Sequence, residues 1–117
     1  MISTVKHFSL NCNETHRKWI NAVIDPAAHR ESDLLAFQIA IERAQPDAVM
    51  SAYNEINGVY ASGNNELLNG VLKTAWQYRG WVTTDWGAVH SSALMRTYKA
   101  GHLGGEASGS CESAWGF

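Results

Sequence analysis

The chain has 117 residues, 45 % of them hydrophobic and 17 % charged, with a formal net charge of −2. That is enough apolar material for one core, which argues against a disordered chain, and the length suits one small domain or a piece of a larger one. The nine basic residues are scattered, so neither a nucleic acid nor a membrane is expected as a partner, and no apolar run approaches the roughly 18 residues that span a bilayer.

The start, "MISTVKHFSL", lacks the basic opening and long apolar stretch of a signal peptide. The expectation is a protein kept inside the cell, or one whose leader lies upstream. "STVKHF" is β-branched and then aromatic and reads as a strand end. Residues 11–30 are polar and irregular, with Asp25-Pro26 marking a turn or helix start. Between Ser32 and Ala44, Leu34, Phe37, Ile41 and Ala44 recur at helical spacing. "DAVMSAY", residues 47–53, is compact and apolar, as a buried strand would be. Asn57-Gly58 and Gly63-Asn64 are turn signals. A second helix is predicted over Glu66–Tyr78, its stripe made by Leu68, Val71, Leu72 and Ala75. Gly80 punctuates the entry to the strand "WVTT", and residues 88–100 could form a further helix.

Strand, helix, strand, helix, strand in this order predicts an α/β fold with about three parallel strands and crossover helices. Parallel strands are covered on both faces and read as continuous apolar runs, which fits both later strands. The tail over 91–117 is Gly/Ser-rich and shows no periodicity; it reads as a divergent linker or disordered chain. Cys12 and Cys111 form no metal or redox spacing, and no metal site is expected. Asn13-Glu14-Thr15 is an acceptor sequon, which matters only in a secreted eukaryotic protein.

In parallel α/β architectures chemistry collects at the C-terminal strand ends. The three predicted ends carry Lys6 and His7, then Met50, Tyr53 and Asn54, then Asp85 and Trp86. A cation, an imidazole, a phenol, a carboxylate and an indole are what a sugar site needs: polar partners for hydroxyls and an aromatic face for the ring. A carboxylate there can also act as a nucleophile at the anomeric carbon. The plainer readings remain open at this level. Lys-His is often surface chemistry, Tyr53 can be a phenol at the core edge, and Asp85 can cap a following helix.

"VKHF" followed by N-x-N-E-T-x-R, then "VMSAYNEINGVYAS", "ELLNGVLKTAW" and "GWVTTDWGA", in this order, closely resembles the family 3 glycoside hydrolases, the β-glucosidase family. The resemblance spans roughly residues 4–90. It implies that residues 1–90 are part of the family's N-terminal (β/α)₈ barrel domain. It implies a retaining enzyme that removes terminal non-reducing β-D-glucose from β-glucosides and cello-oligosaccharides, with Asp85 as the nucleophile. Trp86 would pack on the sugar, Lys6 and His7 would hold its hydroxyls, Tyr53 would stand near the nucleophile, and Met50 would line the same pocket. Arg17 falls in a polar loop motif seen in part of the family, for which a structural role is expected. No metal or organic cofactor is implied, and family members are often secreted or periplasmic.

The chain departs from the pattern in several places. A full barrel needs about 250 residues, and the family's upstream aspartate and arginine have no counterpart here. The general acid/base glutamate belongs to a second domain beyond the barrel, and neither Glu106 nor Glu112 sits in a matching context. Gln77 stands where the family has a glycine that would serve as a helix C-cap. The tail is expected to come from a reading-frame error or a truncation. The alternative to an enzyme segment is therefore an inactive truncated product with at most weak sugar binding. Exposed sheet edges would make such a piece poorly soluble or oligomeric.

Overall fold

The computed structural model describes residues 1–90. The tail and all but the first residues of the helix expected over 88–100 lie outside the described residues. The elements are β1 (Thr4–Phe8), β2 (Asn21–Ala22), α1 (Pro26–Glu31), α2 (Asp33–Ala44), β3 (Ala48–Ser51), β4 (Glu55–Ile56), β5 (Val59–Tyr60), a short helical turn Ala61–Gly63, a π-wound helix Glu66–Ala75 and β6 (Trp81–Thr84).

The main sheet has three strands in the order β1-β3-β6, all parallel. Its register places Thr4, Ala48 and Trp81 in one row, then Val5, Val49 and Val82, then Lys6, Met50 and Thr83. Side chains alternate between faces. Val5, Val49 and Val82 accordingly join the core with Leu34, Phe37 and Ile41 of α2 and with Leu67, Leu68, Val71 and Leu72 of the π-wound helix. The opposite face carries Lys6, Met50, Thr83 and Trp81, and Trp81 is 72 % exposed. Phe8 ties the two helices together: its ring meets Phe37 edge-on at 5.1 Å and Trp76 at 6.0 Å.

Local chemistry explains the element ends. Asp25 caps α1 by accepting from Ala27 and Ala28 N–H at 2.9 and 3.2 Å, and Pro26 occupies the first turn, where no N–H is needed. Ser32 separates α1 from α2. Gln45 closes α2 in the left-handed region, its N–H bonding Ile41 O at 3.0 Å. The π-wound helix is marked by bonds that reach back five residues, as Trp76 N does to Val71 O at 2.9 Å, while at its start Leu68 N bonds Asn64 O four residues back at 2.9 Å. This helix ends at Ala75, three residues before the sequence expectation, because the chain reverses through Gln77 at φ 52°. The reversal brings Tyr78 N to Leu72 O at 3.1 Å and buries the Tyr78 ring.

A second sheet, β2-β4-β5, stands just beyond the C-terminal end of β3. Asn57 and Gly58, both with positive φ (50° and 84°), form the tight turn between β4 and β5. The Asn57 amide bonds both N–H and C=O of Ile24 at 2.9 Å, which anchors the hairpin to the segment before α1.

Candidate active site

Every candidate side chain sits at or near the end of a parallel strand. Between Lys6 and Phe8 the β1–β3 register slips, so His7 is extra in the ladder, and such a bulge re-aims a side chain. The peptide bonds Lys6–His7 and Phe8–Ser9 are cis. His7 Nε2 lies 3.3 Å from Asp85 Oδ2, across the end of the central strand β3. Behind it the chain is pinned: the buried Ser9 hydroxyl meets His29 Nε2 at 2.8 Å, and Asn54 Nδ2 donates to Ser9 O at 3.2 Å. Asp33 Oδ2 accepts from Leu10 N–H at 3.0 Å.

Asp85 is the residue after β6 and is 7 % exposed. Its N–H continues the ladder to Ser51 O at 3.2 Å, and its C=O accepts from Ala88 N–H at 3.1 Å. That closes a tight turn with Gly87 at φ 69°, a position that favours glycine. The turn brings Trp86 N–H back onto Asp85 Oδ1 at 2.8 Å and leaves the Trp86 side chain 67 % exposed beside the carboxylate. Asp85 therefore does not cap a helix with its side chain; its oxygens face Trp86 N–H and His7.

Tyr53 is buried, and its phenol lies beside the Asp85 carboxylate. Its pKa is raised, first by burial and then by the Asp85 charge, against a smaller lowering by Arg17. The phenol thus stays protonated and keeps its donor beside the carboxylate. Arg17 Cζ stands 4.8 Å and Lys18 Nζ 5.4 Å from the centre of the Tyr53 ring. Arg17, for which a structural role is expected, and Lys18, for which the sequence suggests none, both stand above Tyr53 and bring two cations beside the site. The N-x-N-E-T-x-R motif was the available signal.

Met50 and Lys6 share a row of the open sheet face with Thr83, one row below the strand ends. Met50 is half-buried and Lys6 exposed. The structure thus brings Asp85, His7, Tyr53 and Trp86 together, with Met50 and Lys6 adjoining on the sheet. Buried polar side-chain atoms without a hydrogen-bond partner also collect at the end of β3 and just past β1 and β3: Ser51 Oγ, both amide atoms of Asn11 and Asn54 Oδ1. Among the described residues no cluster of three or more His, Cys, Asp or Glu side chains could hold a metal ion. No helix among them is long and apolar enough to cross a membrane.

Residues 1–104 match the glycosyl hydrolase family 3 N terminal domain. The chain belongs to glycoside hydrolase family 3. Beta-glucosidase B of Emericella nidulans is 45 % identical over 91 residues, which cover 78 % of this chain and 11 % of that protein. Beta-glucosidase 3B from Thermotoga neapolitana, solved in complex with glucose, superposes with a TM-score of 0.78 at 38 % identity, covering 80 % of this chain and 13 % of that one. DesR, a beta-glucosidase from Streptomyces venezuelae solved with D-glucose, gives a TM-score of 0.78 at 38 % identity, with 83 % and 12 % covered. The chain thus spans about a tenth of the length of these relatives. Its α/β architecture of parallel strands and crossover helices is a segment of the family 3 barrel domain. Glycosidase activity is the activity of this family, and its named relatives are β-glucosidases.

Proposed function

We propose that this chain is the nucleophile-bearing segment of a retaining β-glucosidase, which removes terminal non-reducing β-D-glucose from β-glucosides and cello-oligosaccharides. The carrying observation is Asp85: a buried carboxylate at a strand end, met by Trp86 N–H, His7 and the Tyr53 phenol. Groups converging on one carboxylate hold it in a single orientation, so an oxygen can meet an anomeric carbon in line. The glucose seen in two of the related structures supports a sugar as the substrate.

In this proposal Asp85 attacks the anomeric carbon as the glycosidic oxygen departs with a proton. The resulting glycosyl-enzyme ester is opened by water, and two inversions give retention. His7 and Lys6 take sugar hydroxyls, Trp86 offers its indole face, and Met50 and Tyr53 close the pocket behind. The leaving oxygen takes its proton from a carboxylic acid, the glutamate that the family resemblance places on a second domain. Residues 1–90 then act as one piece of a barrel. A second reading, that the 117-residue chain alone is inert and binds sugar at most weakly, is favoured by its small share of the relatives' length. Losing a general acid alone costs about 10²–10⁴-fold.

The test is hydrolysis of an aryl β-glucoside by the full-length protein, with the first-formed glucose anomer followed by proton NMR. The β anomer should appear first, and Asp85→Ala should lower kcat by at least about a thousandfold. An α anomer first, or a variant within about tenfold of the parent, would refute the assignment.

A further inference from the structure

We infer that His29 is a positioning residue for the reaction at Asp85: through its bond to the Ser9 hydroxyl it fixes the chain that aims His7 at the carboxylate. The inference rests on the glycosidase reading and adds a buried residue to it.

His7 is not aimed by strand pairing. The β1–β3 register passes from Lys6–Met50 to Phe8–Ser51 and leaves His7 without a partner in β3. A bulged residue takes its direction from the chain on either side. Before it, Lys6 keeps its place in the ladder. After it, three successive residues are each tied to α1, α2 or the residues between them. The Phe8 ring meets Phe37 edge-on at 5.1 Å. The Ser9 hydroxyl lies 2.8 Å from His29 Nε2. Leu10 N–H donates to Asp33 Oδ2 at 3.0 Å. Two bonds from the end of β3 complete the clamp: Ala52 N–H to Phe8 O at 2.8 Å, and Asn54 Nδ2 to Ser9 O at 3.2 Å.

Among these ties the Ser9–His29 pair calls for a reason beyond stability. Ser9 is 0 % and His29 4 % exposed. Two buried polar groups gain little over two apolar groups of the same shape. What the pair adds is direction, because a hydrogen bond constrains distance and angle as apolar contact does not. Burial pushes the His29 pKa down, so the ring is uncharged at neutral pH and the pair needs no counter-ion.

The clamp and the carboxylate share one reference. Asp85 N–H bonds Ser51 O, and Ser51 is the register partner of Phe8. His7 Nε2 then reaches to 3.3 Å from Asp85 Oδ2. A shift of Ser9 moves His7 and leaves the carboxylate behind, held by β3.

The experiment measures kcat/KM for an aryl β-glucoside in the full-length protein, for the parent, His29→Leu, His29→Gln and Ser9→Ala, each alone and combined with His7→Ala. Leucine fills space without the bond, and glutamine keeps a polar atom for Ser9. His29→Leu and Ser9→Ala should each lower kcat/KM about ten- to a hundredfold, the cost of a group misplaced by up to about 1 Å. His29→Gln should recover most of that loss. In the His7→Ala background the same substitutions should matter less than about twofold, because the residue they act through is gone. Equal losses with and without His7 would mean that the pair serves only the fold, and would overturn the inference; so would losses below about twofold in both single variants. Should His29→Leu not fold, Ser9→Ala decides alone. If the parent hydrolyses no glucoside, the glycosidase reading falls separately, and crystal structures decide the positioning. The His7–Asp85 approach should hold in the parent and open beyond the roughly 4 Å of an ion pair in Ser9→Ala; an approach unchanged by the substitution would sink it.

Discussion

Gly80→Ala probes how the strand bearing Asp85 is set in place. A Cβ built on Gly80 falls inside contact distance of the Tyr78 Oη and Cζ atoms, and 2.5 Å from the backbone oxygen of Asp47. Neither obstacle moves freely. Tyr78 is buried, and its hydroxyl donates to Pro46 O at 3.0 Å. Asp47 O accepts the first ladder bond of β6, from Trp81 N–H at 2.8 Å. The Lys73 ammonium, 5.0 Å from the centre of the Tyr78 ring, also donates to Gly80 O at 2.5 Å. Overpacking of this kind costs about 1–3 kcal/mol, and a buried hydroxyl driven from its acceptor costs about 1–3 kcal/mol more. The two are partly alternatives, so about 2–4 kcal/mol is expected. Equilibrium urea unfolding followed by near-UV circular dichroism reads this, since five tryptophans report on fixed packing. Tyr78→Phe in the same background should recover only part of the loss, because Cζ and the Asp47 carbonyl remain in the way. A single-variant loss below about 0.5 kcal/mol would refute the packing argument, because that is the range of substitutions at unconstrained surface sites.

His29 makes stability depend on pH. Burial lowers its pKa below 6.5, with Asp33 opposing and Arg30 assisting more weakly. The native state therefore binds fewer protons than the unfolded chain, and this contribution is complete above pH 6.5 and is lost as pH falls through the lower folded-state value. The melting temperature should drop between pH 7.5 and 5.5, and His29→Gln should flatten that drop; an unaltered slope would count against the buried histidine as its source. Gln77→Gly should stabilise the chain by about 0.5–1 kcal/mol, because Gln77 sits at φ 52° and glycine adopts that region without strain. A lower urea midpoint for the variant would contradict this.

Elements with strong one-dimensional signals were legible in the sequence. The strands at 48–51 and 81–84 are short apolar runs whose inward residues, Val49 and Val82, enter the core. Leu34, Phe37 and Ile41 marked the face of α2. The second sheet was hidden because its strands are two residues long and exist through pairing rather than composition; only the Asn57-Gly58 turn announced it. The π winding has no apolar signature distinct from an α stripe, and the reversal at Gln77 that ends this helix at Ala75 leaves no mark on that stripe. Gln77 was legible as a conflict: a side chain placed where a left-handed closure wants glycine, and the structure puts it in that conformation. In the site, composition left Asp85 open between a cap and a functional carboxylate. Only the register of three strands and the turn at Gly87 turn its oxygens toward His7 and Trp86 N–H.

Register is also why residues so far apart in the chain meet. Phe8, Ser51 and Thr84 pair across the last row of the sheet. The residues just past that row form a common rim: Ser9 to Asn11 after β1, Ala52 to Asn54 after β3, Asp85 onward after β6. His7 joins the rim from within β1 because the bulge gives it a place outside the pairing pattern. A slip of β6 by one residue would send the Asp85 side chain to the helix side and bring Thr84 to the open face. The ladder bonds alone do not forbid that slip, since a parallel pair can re-form them one residue along. Two side-chain constraints oppose it: Val82 must meet Val49 in the core, and Gly80 must pass Tyr78 and Asp47 where no Cβ fits. The glycine at the foot of the strand and the carboxylate at its head are coupled through that register, so Gly80→Ala should disturb the His7–Asp85 approach as well as stability.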